Sequence, residues 1–270
     1  MTAFTDKVVW ITGASSGIGE ALAVAFAKEG ARLVLSSRRE PDLQRVAALT
    51  GLPPERVLVL PIDMRQGDTF SYKVVQVRKY FGRIDIMVHN AGISQRSFAR
   101  DTLVDVDRKL MEVNYFGPVA LTKALLPLMH AQGGGHLVVV SSLVGYFGTP
   151  MRSAYAASKH ALHGFFEALR AEETGHNIRV TMICPGYIRT NISVNALNER
   201  GEKHNQMDDN QANGIPPEEC AQKIIRAVAA NKQEALIGGR EVVGVYLKRF
   251  VPGLFSKMLN GYNIKSKQVE

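Results

Sequence analysis

The chain has 270 residues, 46% hydrophobic and 21% charged, a composition that suits one globular domain and excludes a disordered or collagenous chain. A net charge of +8 could serve an anionic ligand, nucleic acid or a membrane surface. No nucleic-acid motif accompanies that charge, so a basic surface with cofactor contacts is the expectation. Cys184 and Cys220 are too few for a disulfide framework, and none of the seven histidines has metal-ligand spacing, so no metal is expected.

The first predicted element is a buried strand over 7–12, after a start, MTAFTDKVVW, with no room for a cleavable signal. No apolar run spans a bilayer, and a cytoplasmic location is expected. Gly13-Ala14-Ser15-Ser16-Gly17-Ile18-Gly19 follows, then a helix over 18–29. Strand, glycine turn and helix start make an anion cradle, because unpaired backbone N–H groups and the helix dipole favour a pyrophosphate. Gly13 permits the turn, Gly17 admits the ligand to the backbone, and Gly19 allows close helix–strand packing. The second strand, 32–36, runs into Ser37-Arg38-Arg39. An acid at this strand end would bind a ribose diol, whereas an arginine pairs with a 2′-phosphate, so NADP(H) is expected over NAD(H).

Further elements alternate: helix 41–49, strand 56–61, helix 68–81, strand 84–88, helix 103–131, strand 136–141, helix 155–174, strand 178–183, helix 217–230 and strand 234–237. Such alternation implies a doubly wound α/β fold, a parallel sheet with helices on both faces and ligands at the carboxyl ends of the strands. Tyr155 and Lys159, four apart in AYAASKHALHGFF, share a helix face. An ammonium near a phenol favours the phenolate, and Ser142 can hold a substrate oxygen while Tyr155 moves a proton. Ser141 competes with Ser142 for that task. Asp63 either contacts the cofactor or caps the following turn.

Thr12-Gly13-x-x-x-Gly17-x-Gly19, Asn90-Ala91-Gly92, Asn114, Ser142, Tyr155-x-x-x-Lys159 and Pro185-Gly186-Tyr187-Ile188-Arg189-Thr190 stand in the order seen in the short-chain dehydrogenases/reductases. The chain resembles that family over residues 5 to 240, and its tail resembles the dehydrogenase/reductase member 7/7B branch, some animal members of which carry an N-terminal membrane anchor; none is expected from the sequence as read here. His89 stands where many relatives have a second asparagine. The resemblance implies a single three-layer Rossmann-type domain over 1–270 with a mainly seven-stranded sheet. It implies NADP(H)-dependent interconversion of a ketone and a secondary alcohol, with Asn114, Ser142, Tyr155 and Lys159 as the catalytic set, Ser142 favoured over Ser141, and Asn114 holding a water behind Lys159. The implied cofactor contacts are Gly13, Ser15, Ser16, Gly17, Ile18, Gly19, Arg38, Arg39, Asp63, Met64, Asn90, Ala91, Gly92, Tyr155, Lys159, Pro185, Gly186, Ile188 and Thr190. Ser142, Tyr155 and Tyr187 are the implied substrate contacts. A homodimer or homotetramer is expected by the same likeness. The rival is a noncatalytic nucleotide-sensing or scaffold protein on the same fold.

Residues 186–215 are polar and poor in structure signals, which suits a substrate lid. Ile192, Val194 and Leu197 either meet the ligand or pin this loop to the core. In the extension 240–270, Pro252-Gly253 divides two short helical pieces that carry apolar residues with Lys248, Arg249, Lys257, Lys265 and Lys267. This segment packs over the substrate site or a sister subunit, or lies at an anionic membrane surface.

Overall fold

In a computed structural model, residues 2–260 are described. Seven β-branched, apolar strands form one parallel sheet: Val8–Thr12 (β1), Arg32–Ser36 (β2), Val57–Val59 (β3), Ile86–His89 (β4), Gly135–Val140 (β5), Ile178–Pro185 (β6) and Glu234–Ile237 (β7). Their order is β3-β2-β1-β4-β5-β6-β7, so the winding reverses between β1 and β4. Ligands of such sheets bind beyond the strand ends at this reversal.

Each face of the sheet is covered. Along β1, Val9 and Ile11 join one apolar cluster and Val8 and Trp10 the other, as the two-residue strand period requires. Gly17–Lys28 (α1), Glu40–Thr50 (α2) and Pro217–Ala229 (α8) pack on the first side. Phe70–Phe81 (α3), Gly117–Ala131 (α5) and Ser153–Glu172 (α6) pack on the second. The tail forms Val243–Phe250 (α9) and Pro252–Asn260 (α10), broken at Pro252 as expected. Lys265 and Lys267 lie outside the described residues.

Three expectations are refined. The helix over 103–131 is three pieces: Val104–Met111 (α4), a wider π turn at Glu112–Phe116, and α5. Pro118 lacks the N–H that would close an ordinary helical turn on the Asn114 carbonyl. The strand over 56–61 shortens to β3, an edge strand with half-buried residues, although Leu60 and Ile62 still donate backbone bonds to Leu35 and Ser37. The loop 186–215 has more structure than its composition suggests. Ile188 bridges Ile215 at its base, Leu197 bridges Gln95, and Asp209–Ala212 (α7) forms one short helix.

Candidate active site

The carboxyl ends of the strands open into one cleft of about 1520 Å³. Its near end is the glycine turn. Gly13 and Gly17 have φ of +65° and +57°, backbone that L side chains rarely adopt. Asn90 locks this turn to the end of β4: its backbone N–H donates to Thr12 Oγ1 at 3.1 Å, and its Nδ2 donates to the Thr12 and Gly13 carbonyls at 3.0 and 3.2 Å. His89, beside it, points into the core and bonds Thr122, so the departure from a second asparagine leaves Asn90 in place. Ser16 precedes α1 without a side-chain cap bond, so that end keeps backbone donors for a ligand. Thr190 closes against Gly17: a Cβ there would lie 3.0 Å from its methyl.

At the end of β2, Ser37, Arg38 and Arg39 line the same cleft. The buried Ser37 hydroxyl has no partner among the described residues. Arg38 lies near enough to Asp63 to help hold that carboxylate below its usual range, although the hydrogen bond from Arg65 is the largest cause. Asp63 also accepts from the Arg65 backbone at 3.0 Å, so it caps the turn while lining the cleft. Arg39 is bonded to Asp42 of α2, which takes its guanidinium. Met64 backs the site through Gly117, whose added Cβ would meet the Met64 carbonyl at 2.5 Å.

Deeper in the cleft, β5 and α6 bring Ser142, Tyr155 and Lys159 together. The Ser142 hydroxyl is close enough to Tyr155 to favour its phenolate, and it donates to the Pro185 carbonyl at 3.3 Å. Ser141 is turned inward, donating to the Lys159 carbonyl at 3.3 Å and lying 3.0 Å from His163 Nε2. Lys159 donates to the Val140 carbonyl at 2.9 Å, and its Nζ lies 5.8 Å from the centre of the Tyr155 ring. Asn114 holds Ile93 with both ends of its amide and donates to Ser158 at 3.0 Å. Gly92 sits between these groups: an added Cβ would be 3.3 Å from Asn114 Oδ1 and 3.6 Å from Lys159 Nζ.

Burial raises the Tyr155 phenol above its ordinary value, against the Ser142 hydrogen bond and the charges of Arg96 and Arg152. Burial also lowers Lys159 to about 8. Desolvation thus outweighs the neighbouring charges at Tyr155, and the Lys159 ammonium donates to the Val140 carbonyl.

The sequence did not single out four residues that shape the site. Glu241, beyond β7, accepts from the Tyr187 and Gly239 backbone N–H groups at 3.1 and 3.0 Å and pins the Pro185-Gly186 turn. Arg96, Arg152 and Asp208 form a cluster in the cleft wall. Their signal was faint: lone charges on loops carry no spacing pattern. Leu197 packs in one cluster with Tyr155, and both Leu197 and Ile192 line the cleft. The far end of the cleft is walled by Val243, Gly244 and Leu247 of α9 and by Phe255 and Met258 of α10. Phe255 is buried with its ring 5.0 Å from Phe147. Among the described residues two His/Glu groups also converge elsewhere, His130–Glu173–His176 and His163–Glu167–Glu234, each a local helical pair that the fold brings to one distant residue.

A seven-stranded parallel sheet with a glycine-turn cleft at its reversal point defines the Rossmann-type class of α/β proteins. A family profile described as short chain dehydrogenase matches residues 7–201, and the chain belongs to that oxidoreductase family. Among curated proteins, it is 40% identical over 269 residues to a Drosophila melanogaster dehydrogenase/reductase SDR family protein 7-like, covering 98% of this chain and 82% of that protein. It is 43% identical over 259 residues to dehydrogenase/reductase SDR family member 7B of Mus musculus, covering 94% and 80%. Among solved structures, a short-chain dehydrogenase from Streptomyces avermitilis matches with a TM-score of 0.79 at 28% identity over 95% of this chain and 96% of that one. A short chain dehydrogenase/reductase from Burkholderia phymatum, solved in complex with NAD, shares the fold with a TM-score of 0.84 at 24% identity over 94% and 96%.

Proposed function

We propose that this protein is an NADP(H)-dependent oxidoreductase that interconverts a carbonyl and a secondary alcohol. The observation that carries this reading is Ser142, Tyr155 and Lys159 together lining the cleft that begins at the glycine turn. The cofactor fits the residues present. A Cβ on Gly19 would lie 2.2 Å from the Gly13 carbonyl, so the turn is built without side chains, and the unpartnered Ser37 hydroxyl beside Arg38 suits a 2′-phosphate. Ser15, Ser16 and Ile18 complete the pyrophosphate end, and Asn90, Ala91, Gly92, Pro185, Gly186, Ile188 and Thr190 wall the remainder.

When bound, the nicotinamide nucleotide supplies or accepts the hydride. The chain's own residues handle the oxygen and its proton. Ser142 donates to the substrate oxygen, Tyr155 delivers its phenolic proton during reduction and retakes it during oxidation, and Lys159 steadies the phenolate and the ribose. Asn114 fixes the turn from which a water can reach Lys159. The segment 186–215 serves as lid over one domain, with Tyr187 facing substrate, and α9 and α10 wall its apolar end. Tyr155→Phe removes the proton and leaves the fold. In a carbonyl panel followed by NADPH oxidation, its turnover is expected to fall at least about a hundredfold with NADPH affinity unchanged. Turnover near wild type would reject the relay, and a panel silent with the wild-type protein favours the scaffold reading.

The outward residues Tyr246, Phe250 and Leu254, with Lys248 and Arg249, support peripheral contact of a cytoplasmic protein with a membrane. Among the described residues no helix is long and apolar enough to cross one. Flotation with anionic vesicles is expected to weaken on deleting residues 242–270, and unchanged flotation removes this contact. Assembly as a homodimer or homotetramer belongs to the same proposal.

A further inference from the structure

Glu241 lies just beyond β7, where the chain leaves the sheet for the tail, and its half-buried carboxylate reaches back to the turn Pro185-Gly186-Tyr187. Oε1 accepts from the Tyr187 backbone N–H at 3.1 Å and from the Gly239 N–H at 3.0 Å. Three glycines make room for it. A Cβ on Gly186 would lie 2.3 Å from Oε1, one on Gly238 2.6 Å from the same oxygen, and one on Gly239 3.1 Å from Oε2. A side chain at Gly186 or Gly238 would therefore displace the carboxylate.

The turn that Glu241 holds bears on the rest of the site. Its Pro185 carbonyl accepts from the Ser142 hydroxyl at 3.3 Å, and its Tyr187 carbonyl accepts from the Ile215 N–H at 3.0 Å, at the base of the 186–215 segment. Gly186 is tied to the sheet through the Ile237 carbonyl at 2.8 Å, whereas the Tyr187 N–H beyond it goes to Glu241. On its other side Glu241 leads into the tail. Val243–Phe250 follows at once, and an added Cβ on Gly244 would touch the rings of Phe147 and Phe255 at 3.4 and 3.5 Å. Pro185, Gly186, Tyr187, Glu241, Gly244 and Phe255 all line the one cleft.

A carboxylate that accepts backbone N–H donors makes charge-assisted bonds, stronger than neutral ones. Where one such group holds two segments, the order of each favours the order of the other, and the coupling is reciprocal. We propose that Glu241 is a positioning residue that holds the Pro185-Gly186-Tyr187 turn in place for the nicotinamide nucleotide and couples nucleotide binding to the tail wall formed by α9 and α10. This inference rests on the cofactor site proposed above and does not depend on the proton relay. Without the clamp the turn is competent in only a fraction of molecules, and the apparent affinity falls by that fraction.

The full chain is titrated with NADPH and with NADH by fluorescence. Amide hydrogen exchange is then followed by mass spectrometry with the tighter nucleotide absent and saturating. In the wild type, nucleotide is expected to slow exchange in residues 185–190 and also in Val243–Phe250. Glu241→Ala is expected to bind about tenfold more weakly, the worth of one charge-assisted bond, and to lose the protection of the tail. Gly238→Ala, which crowds the carboxylate without removing it, is expected to do the same. Glu241→Gln keeps an acceptor oxygen and is expected to stay nearer to wild type. A merely structural role would lower Tm and leave both readouts unmoved. A folded Glu241→Ala that binds nucleotide as tightly as wild type overturns the inference. So does a wild-type tail that exchanges equally with and without nucleotide, a result that decides even where the variant does not fold. A wild-type chain that binds neither nucleotide rejects the cofactor reading itself, and this inference with it.

Discussion

Gly19→Ala adds one methyl group at the tightest point of the glycine turn. The new Cβ would lie 2.2 Å from the Gly13 carbonyl oxygen and 2.6 Å from Asn90 Nδ2. A relaxed contact needs about 1 Å more. No side-chain rotation supplies it, because the nearest atom is backbone, so α1 must move off the end of β1 or the Asn90 bonds must break. Overpacking of this kind costs about 3 kcal/mol, which for a chain of this size lowers Tm by roughly 6–10 °C. The same change at Gly164 has the opposite sign. That glycine is exposed within α6, nothing lies within 4 Å of its added Cβ, and alanine is the better helix residue by about 1 kcal/mol. Paired calorimetric melts, with NADPH binding followed by fluorescence, test the contrast. Gly19→Ala is expected to lose both Tm and cofactor affinity, and Gly164→Ala to gain slightly in Tm with affinity intact. Equal melting temperatures for the two variants would refute the reasoning about backbone contact.

Arg38→Leu is expected to weaken NADPH binding about tenfold, the worth of one exposed charge-assisted pair at about 1.4 kcal/mol, and to leave NADH binding unchanged. Equal losses for both nucleotides would remove the 2′-phosphate contact. His136 and His89 are buried, and burial lowers them to about 4 and about 3 respectively, with Arg179 adding to the effect at His136. Because their folded values lie below the unfolded one, the stability they confer is complete above about pH 6.5 and is lost as pH falls toward 4 and then 3. His136→Asn, which can still bond Thr181, is expected to flatten the fall of Tm between pH 6.5 and 4; profiles that superimpose with wild type would dismiss that role.

Much of this molecule is legible from local pattern. The alternation of apolar strands and amphipathic helices dictates the parallel sheet, since each strand buried on both faces needs helices above and below. The turn Gly13–Gly19, Asn90 and the Tyr155–Lys159 pair are legible for the same reason: their geometry is set within a few residues, by a positive φ, a strand end or one helical turn. The tertiary structure decided what depends on residues far apart in the chain. It brought Ser142 into one cleft with Tyr155 and turned Ser141 toward His163. It drew Arg96, Arg152 and Asp208 from three separate loops to one carboxylate oxygen, and it seated Phe255 of the tail against Phe147. Burial, which raises Tyr155 and lowers Lys159, belongs to this second group as well. Propensity and period act over a few residues, whereas solvent exclusion and charge pairing are properties of the packed whole.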